Sequence, residues 1–121
     1  MVLALPLGAL CGGKLPGNNW INVYKSAAGT TNAVAAKSGS YIVVKSIIIN
    51  GTNSGRIYFG YGTDTALTKI SPHMSWNTAS CPTKLDNLGW IVPAGNELDV
   101  WTSIASGTGT EISIDWSYVA Q

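Results

Sequence analysis

The segment "YIVVKSIIIN" at residues 41–50 limits the possible folds more than any other feature. Seven of its ten residues are apolar, and their β-branched character favours a strand. A half-buried strand alternates apolar and polar residues. Here both faces of the strand would carry large apolar side chains: Ile42, Val44 and Ile48 on one face, and Tyr41, Val43, Ile47 and Ile49 on the other.

The second apolar face of this strand must be covered, because soluble proteins rarely expose a large apolar patch. Three elements could cover this second face. They are the leucine-rich amino-terminal segment, a β-bulge near Lys45–Ser46 that exchanges the two faces, or another subunit. The first and the third suit a protein built for assembly.

The rest of the 121-residue chain also favours strands, and no window of 11 or more residues has the apolar spacing of a helix. The sequence predicts an all-β domain over residues 20–121, a β-sandwich or jelly roll of about seven to eight antiparallel strands. Residues 1–19 are predicted to form an irregular arm. The predicted strands cover residues 20–24, 32–36, 41–50, 56–61, 66–71, 89–92, 97–105 and 110–120.

The connections are predicted from their Gly, Pro and Asn content. The turn "GTNSG" at 51–55 predicts a hairpin that pairs 56–61 with the long strand. "SGS" at 38–40 and "PAGN" at 93–96 also indicate turns. Residues 72–88 contain two prolines and no clear alternation. They are predicted to be a long loop, and such loops are often functional or interfacial.

Charge is scarce. Only 11% of residues are charged, against about 25% in an average domain, and the net charge is +1. The basic residues are scattered, so nucleic-acid binding is not expected. A surface with so little charge is poorly protected against association. The composition therefore favours a protein that works in contact with another macromolecule.

The arm carries five large aliphatic side chains without a regular period. It lacks the basic start of a signal peptide and is too short to span a bilayer, so neither a removed leader nor a membrane anchor is expected. We expect the arm to pack across a subunit boundary, against a sister copy or a shell protein. Its candidate interface residues are Val2, Leu3, Leu5, Leu7 and Leu10.

The two cysteines, Cys11 and Cys81, are too far apart in sequence for a metal motif. A bridge between them could contribute about 4 kcal/mol. Two free thiols in a reducing cytosol are the favoured alternative.

Catalytic signals are weak. The single histidine, His73, lies in the predicted loop and is interpreted as an ordinary solvated side chain. Two carboxylate pairs, Glu97 with Asp99 and Glu111 with Asp115, share strand faces as a glycosidase pair would. They are interpreted as solvated strand surface. The sequence therefore predicts a protein that is not an enzyme and that uses neither a cofactor nor a metal.

Five tryptophans raise the possibility of carbohydrate binding. Trp76, in the predicted loop, is the first candidate for an exposed ring and, with Trp101, a candidate interface residue. Trp101 shares a face with Glu97 and Asp99; if that face is outward, its ring is exposed and suits an interface. Trp116 is expected in the core. A protein contact or a core position is favoured over sugar binding for these rings.

The succession "YIVVKSIIINGTNSGRIYFGYG", then "LGWIVPAGNELDVWTS", then "ISIDWSYVA" resembles small β-sandwich virion proteins of tailed bacteriophages. The resemblance covers residues 41–119 and is one of pattern. It implies a structural protein without an active site, of the capsid decoration (cement) type, that bridges and stabilises shell subunits. The alternatives are a tail or fibre component of the virion, or a carbohydrate-binding module.

The resemblance also implies partners and a location. The partner would be the major capsid protein or another virion protein. The chain itself would form a homo-oligomer, for which a trimer at a threefold position is the expected form. Assembly would take place in the host cytoplasm, and the final location would be the capsid exterior.

Overall fold

The computed structural model describes residues 19–51, 55–63, 66–76, 82–103 and 109–121. These residues form two antiparallel sheets packed face to face. Sheet A contains β1 (Trp20–Lys25), β3 (Ser40–Gly51), β7 (Thr83–Leu85), β8 (Trp90–Val92) and β10 (Thr110–Ala120). Sheet B contains β2 (Gly29–Val34), β4 (Gly55–Thr63), β5 (Ala66–Lys69), β6 (Met74–Trp76) and β9 (Leu98–Thr102).

The strand order confirms the predicted all-β sandwich and is that of a jelly roll. Sheet A runs β1-β10-β3, and its last position is shared by β7 and β8, which both pair with β3. Sheet B runs β2-β9-β4, and its last position is shared by β5 and β6, which both pair with β4. The ten strands of the described residues thus fill eight positions in two four-position sheets, the arrangement produced by two Greek keys.

Two sequence predictions about connections are wrong. The strands β3 and β4 do not form a hairpin, because β3 belongs to sheet A and β4 to sheet B. Both strands present strongly apolar faces, which in opposite sheets pack against each other across the core. The predicted loop at 72–88 also contains two short strands, β6 and β7. Three-residue strands are too short to show an alternation in sequence.

A β-bulge in the long strand β3 lets apolar residues of both parities face the core. Asp115 of β10 pairs with Ser46, whereas the next residue, Trp116, pairs with Val44, so Lys45 has no partner on β10. The extra residue exchanges the faces of the strand. Ile42 and Val44 face the core before the bulge, and Ile47 and Ile49 face it afterwards. The bulge, one of the three predicted covers, therefore accounts for most of the apolar excess.

The bulge also divides the edge of sheet A. β8 pairs with residues 42–44 of β3, and β7 pairs with residues 47–49. Between them, the N–H of Leu88 donates to the carbonyl oxygen of Lys45 at 2.9 Å. A similar gap in sheet B, between β5 and β6, is closed by Ile70 and Ser71. Ile70 donates its N–H to the Phe59 carbonyl at 2.9 Å, and the Ser71 hydroxyl accepts the Phe59 N–H at 2.8 Å.

The core lies between the sheets and consists of β-branched and aromatic side chains. Phe59 of β4 is its largest fully buried side chain. Its ring lies 5.6 Å from that of Trp90 in the opposite sheet. Trp116 packs against this core, as predicted. Among the described residues, the other fully buried apolar ones are Ile42, Val44, Ile47, Ile57, Val92, Leu98, Val100, Ile112 and Ile114.

Two of the predicted turns are confirmed and depend on glycine. In "PAGN", the N–H of Asn96 donates to the Pro93 carbonyl at 3.2 Å, and Gly95 has a φ of 79°. This is the geometry of a type II turn, which favours glycine at its third position. The Lys37–Ser40 turn has the same form, with Gly39 at a φ of 73°.

Candidate binding surface

Three aromatic rings meet on the outward face of sheet B. The Tyr58 ring centroid lies 4.9 Å from that of Trp101, with 21° between the planes. The His73 ring lies 4.6 Å from Tyr58 and 5.9 Å from Trp101. All three pairs are within the range of aromatic contacts. We refer to Tyr58, His73 and Trp101 as the aromatic cluster.

The strand period places the two larger rings of the aromatic cluster. On β4, Ile57 and Phe59 point into the core, so Tyr58 between them points outward. On β9, Trp101 lies between two core-facing residues in the same way. The register of β4 and β9 sets Tyr58 directly opposite Trp101. Directly paired residues have Cβ atoms about 5 Å apart, so their rings are brought into contact.

His73 reaches the aromatic cluster through the short strand that follows it. Met74, the first residue of β6, pairs with Ile57 of β4. His73 therefore stands beside the strand that carries Tyr58, and its side chain is exposed. The histidine predicted to be an ordinary solvated side chain is thus part of an aromatic surface.

A cation lies over the aromatic cluster. The Lys69 ammonium is 5.0 Å from the centroid of the Tyr58 ring, which is a cation–π contact. Tyr58 and Trp101 are half-buried, whereas Lys69 and His73 are exposed. The surface is therefore apolar at its centre with polar atoms around it. This is the chemistry of energetically dominant residues in protein interfaces.

A polar group adjoins the aromatic cluster on the same face. The Asn32 amide donates to the Asp99 carboxylate at 3.3 Å and to the Glu97 carboxylate. Asp99 is only 2% exposed. The prediction that Glu97 and Asp99 are merely solvated surface is therefore wrong for Asp99. Its carboxylate and the Asn32 amide join β9 to β2, since Asn32 and Asp99 are register partners.

Other predicted site residues lie elsewhere. Trp76 is only 5% exposed and belongs to the core, so its ring does not supply the exposed surface expected of it. The burial follows from the pairing of β6 with β4, which sets Trp76 opposite Gly55. Trp101 lies on the outward face, where its ring is half-buried. The arm residues Val2, Leu3, Leu5, Leu7 and Leu10 and the two cysteines fall outside the described part of the chain.

The two members of the second carboxylate pair, Glu111 and Asp115, differ in exposure. Glu111 is exposed, as expected. Asp115 is 3% exposed, and its Oδ1 has no hydrogen-bond partner; the prediction of a solvated Asp115 is wrong. It lines a cleft with Lys45, Ser46 and the loop 87–89. Among the residues that the structure describes, no three His, Cys, Asp or Glu side chains come together as a metal site.

Tyr58 and Lys69 were not singled out from the sequence, although one signal was present. In "RIYFGY", Tyr58 has the opposite parity to Ile57 and Phe59, which marks it as an outward aromatic residue. Its pairing with Trp101 depends on a register between strands about forty residues apart in sequence, which no local pattern encodes.

Comparison with known protein families and with curated proteins finds no match for this chain. Within the described ranges, no helix is long and apolar enough to cross a membrane. What the fold and the surface define is a jelly-roll domain with an aromatic cluster on one outward face.

Proposed function

We propose that this protein is a non-enzymatic structural component of a bacteriophage particle, of the capsid decoration type. It would bind the major capsid protein on the outside of the shell and stabilise the contacts between shell subunits. The proposal rests on the sequence resemblance given above and on one structural observation, the aromatic cluster with Lys69 on the outward face of sheet B.

The aromatic cluster supports a protein contact because of its rigidity and composition. Tyr58 and Trp101 emerge from the two central strands of sheet B, which hold their backbones in register. Rigid aromatic side chains lose little conformational entropy on binding and bury a large area. Binding that occurs only in the assembled shell stabilises it by mass action, since the contact must be lost before subunits separate.

The jelly-roll fold is compatible with this proposal but is not by itself evidence for it. Jelly rolls occur in viral capsid proteins, lectins and other classes, and a fold does not by itself imply a function. Homo-oligomerisation, with a trimer as the expected form, belongs to the same proposal. A tail or fibre location is the alternative position within the particle.

Carbohydrate binding is a second candidate, and the Tyr58–Trp101 pair is the observation that favours it. Outward aromatic rings with a neighbouring carboxylate and amide are the groups that recognise sugars. However, the rings of these two residues face each other at 21°. Each ring therefore has one face already occupied by its neighbour, which reduces the surface left for a sugar ring.

The test compares binding to shells with binding to glycans. The purified chain is sedimented alone and with undecorated shells of the phage that encodes it, and is also applied to a glycan array. We expect saturable co-sedimentation with shells and no glycan signal. Glycan binding that is lost in Trp101→Ala, without shell binding, would overturn the proposal in favour of the second candidate.

A matched control separates the aromatic cluster from aromatic surface in general. Tyr24, on the outward face of sheet A, is 66% exposed. Tyr24→Ala should sediment with shells as the unmodified chain does, whereas Tyr58→Ala and Trp101→Ala should each bind shells roughly thirtyfold more weakly. Equal loss in all three variants would mean that the aromatic cluster is not the binding surface.

A further inference from the structure

Two positive charges flank the aromatic cluster on the outward face of sheet B. Arg56 stands two residues before Tyr58 on β4, and both side chains point outward because Ile57 between them is fully buried. On the other side of Tyr58, the Lys69 ammonium lies 5.0 Å from the ring centroid. Arg56 and Lys69 are both exposed. The apolar centre of this face is therefore bordered by a cation at each end.

Backbone contacts fix the positions that carry these charges. The N–H of Arg56 donates to the Ser103 hydroxyl at 3.1 Å, and the Arg56 carbonyl oxygen accepts the N–H of Ser103 at 3.0 Å. Lys69 pairs with Gly60 of β4. A Cβ at position 60 would lie 2.5 Å from the Thr68 carbonyl oxygen, so the close approach of β5 requires glycine there. Both cations therefore emerge from backbone that is held beside the aromatic cluster.

The two cations are available to a partner. Within the described ranges, neither Arg56 nor Lys69 forms an ion pair with a carboxylate, and the ion pair present there joins Lys84 to Asp86. Opposite charges that meet at the rim of an interface steer association and fix the orientation of the partner. A partner with carboxylates at the matching positions would therefore be preferred.

The carboxylates of the same face do not present their charge at the aromatic cluster. Asp99 stands two residues before Trp101 but is only 2% exposed, and it accepts the Asn32 amide at 3.3 Å. Glu97 accepts the same amide. It stands four residues from Trp101, which corresponds to about 13 Å along an extended chain. The charge that a partner meets at the aromatic cluster is therefore positive.

We propose that this surface binds an extended acidic segment of the shell protein, in which one apolar side chain lies between two carboxylates. The inference rests on the proposed function, since it names the part of the shell protein that the aromatic cluster recognises. Side chains on one face of an extended segment recur at every second residue, about 6.6 Å apart. Three such side chains match the row formed by Arg56, the Tyr58–Trp101 pair and Lys69. The apolar side chain covers the rings, and each carboxylate binds one cation.

A polypeptide fits this surface better than single-stranded nucleic acid, which also combines stacking with positive charge. Nucleic acid needs a basic groove along its backbone and a ring face for each successive base. Here the rings of Tyr58 and Trp101 stack on each other with 21° between their planes. They offer one apolar platform with two cations, and the whole chain has a net charge of only +1.

The test uses two peptides that differ only in charge, Ac-Glu-Ser-Phe-Ser-Glu-NH2 and Ac-Lys-Ser-Phe-Ser-Lys-NH2. Each is titrated into the full chain, and binding is read from the NMR signals of the Trp101 indole and of the backbone amides of Tyr58 and Lys69. We expect the acidic peptide to bind at least about tenfold more tightly, because two attractive contacts replace two repulsive ones. Added salt should reduce this difference. An oligothymidylate of about eight nucleotides is the third probe.

Charge variants locate the contact. Lys69→Gln and Arg56→Gln should each lower the affinity for the acidic peptide by about threefold. Lys37 provides a matched control, because it is exposed and its ammonium lies 5.1 Å from the centroid of the Tyr118 ring, in a contact like that of Lys69. Lys37→Gln should leave the affinity unchanged. An equal loss in the Lys37 variant would mean that general charge, and not this surface, attracts the peptide.

Three further results of the peptide test would overturn the inference. They are equal affinity for the two peptides, no shift of the signals of the aromatic cluster with the acidic peptide, and binding of the oligothymidylate alone. With undecorated shells, Lys69→Gln and Arg56→Gln should weaken binding by a similar factor. If Trp101→Ala weakens shell binding and the two charge variants do not, the proposed function stands and the acidic segment is wrong. A chain that binds the acidic peptide but no shells would overturn the proposed function and support the acidic preference of the surface.

Discussion

Tyr58 and Trp101 occupy paired positions on β4 and β9, and their rings lie 4.9 Å apart on the outward face of sheet B. Two residues that are remote in sequence therefore form one rigid surface. If the surface binds a shell protein, truncation of either ring should remove a large part of the binding free energy.

Trp101→Ala and Tyr58→Ala are each expected to weaken shell binding by about 2 kcal/mol, roughly a thirtyfold rise in Kd. The loss follows from removing a desolvated aromatic contact at the centre of the interface. Titration of undecorated shells measures it, with Tyr24→Ala as the control, expected within about 0.5 kcal/mol of the unmodified chain. A Kd that is unchanged in both ring variants would contradict the proposed binding surface.

Deletion of Lys45 should cost only about 1 kcal/mol of stability, which is the net contribution of the hydrogen bond that the Leu88 N–H donates to its carbonyl. The strand then becomes regular, with Ile42 and Ile47 still on the core face. Deletion of Val43, where the register is already regular, should instead turn the fully buried Ile42 outward and cost at least about 1.5–3 kcal/mol. Urea unfolding measures both changes, and equal losses would show that the bulge does not set the faces of the strand.

Ser71→Ala should cost about 1–3 kcal/mol of stability, because it leaves the buried N–H of Phe59 without an acceptor. Ser103 provides a matched control. Its hydroxyl accepts the N–H of Arg56 at 3.1 Å in an exposed position, where water can replace it. Ser103→Ala should therefore cost less than about 0.5 kcal/mol. Equal losses, measured by thermal or urea unfolding, would argue against burial as the cause.

Lys25 should make the free energy of unfolding depend on pH in the alkaline range. Its side chain is buried, where the ammonium donates to the Gly29 carbonyl at 3.1 Å and to the Thr31 hydroxyl. Burial lowers the pKa of Lys25 below its ordinary value of 10.5. Between the lowered pKa and 10.5 the unfolded state binds more protons than the folded state, so this residue makes the free energy of unfolding rise with pH.

The contribution of Lys25 is isolated by comparison with Lys25→Met, since tyrosines and other lysines titrate in the same range. The difference in unfolding free energy, unmodified chain minus variant, should increase as pH rises towards 10.5. A difference that is flat or that decreases would mean that the hydrogen bonds of the ammonium outweigh the cost of its burial.

The sequence by itself determined the class of fold and most of the strands. Period-two alternation in β10, with Ile112 and Ile114 on one face, and the β-branched run of β3 depend on local residue type and predict strands directly. The turns at Gly39 and Gly95 were equally predictable, because a positive φ favours glycine. These features are properties of short segments, so the order of residues is enough to specify them.

Only the tertiary structure decided which strands pair and what each face contacts. The turn at 51–55 suits a hairpin, but β3 and β4 lie in opposite sheets and contribute apolar side chains to the same core. Trp76 lies in a segment without visible period, and its burial is set by the pairing of β6 with β4. Trp101 meets Tyr58 because of a register between distant strands. Such contacts result from the joint burial of the whole core, and no single segment carries the information that fixes them.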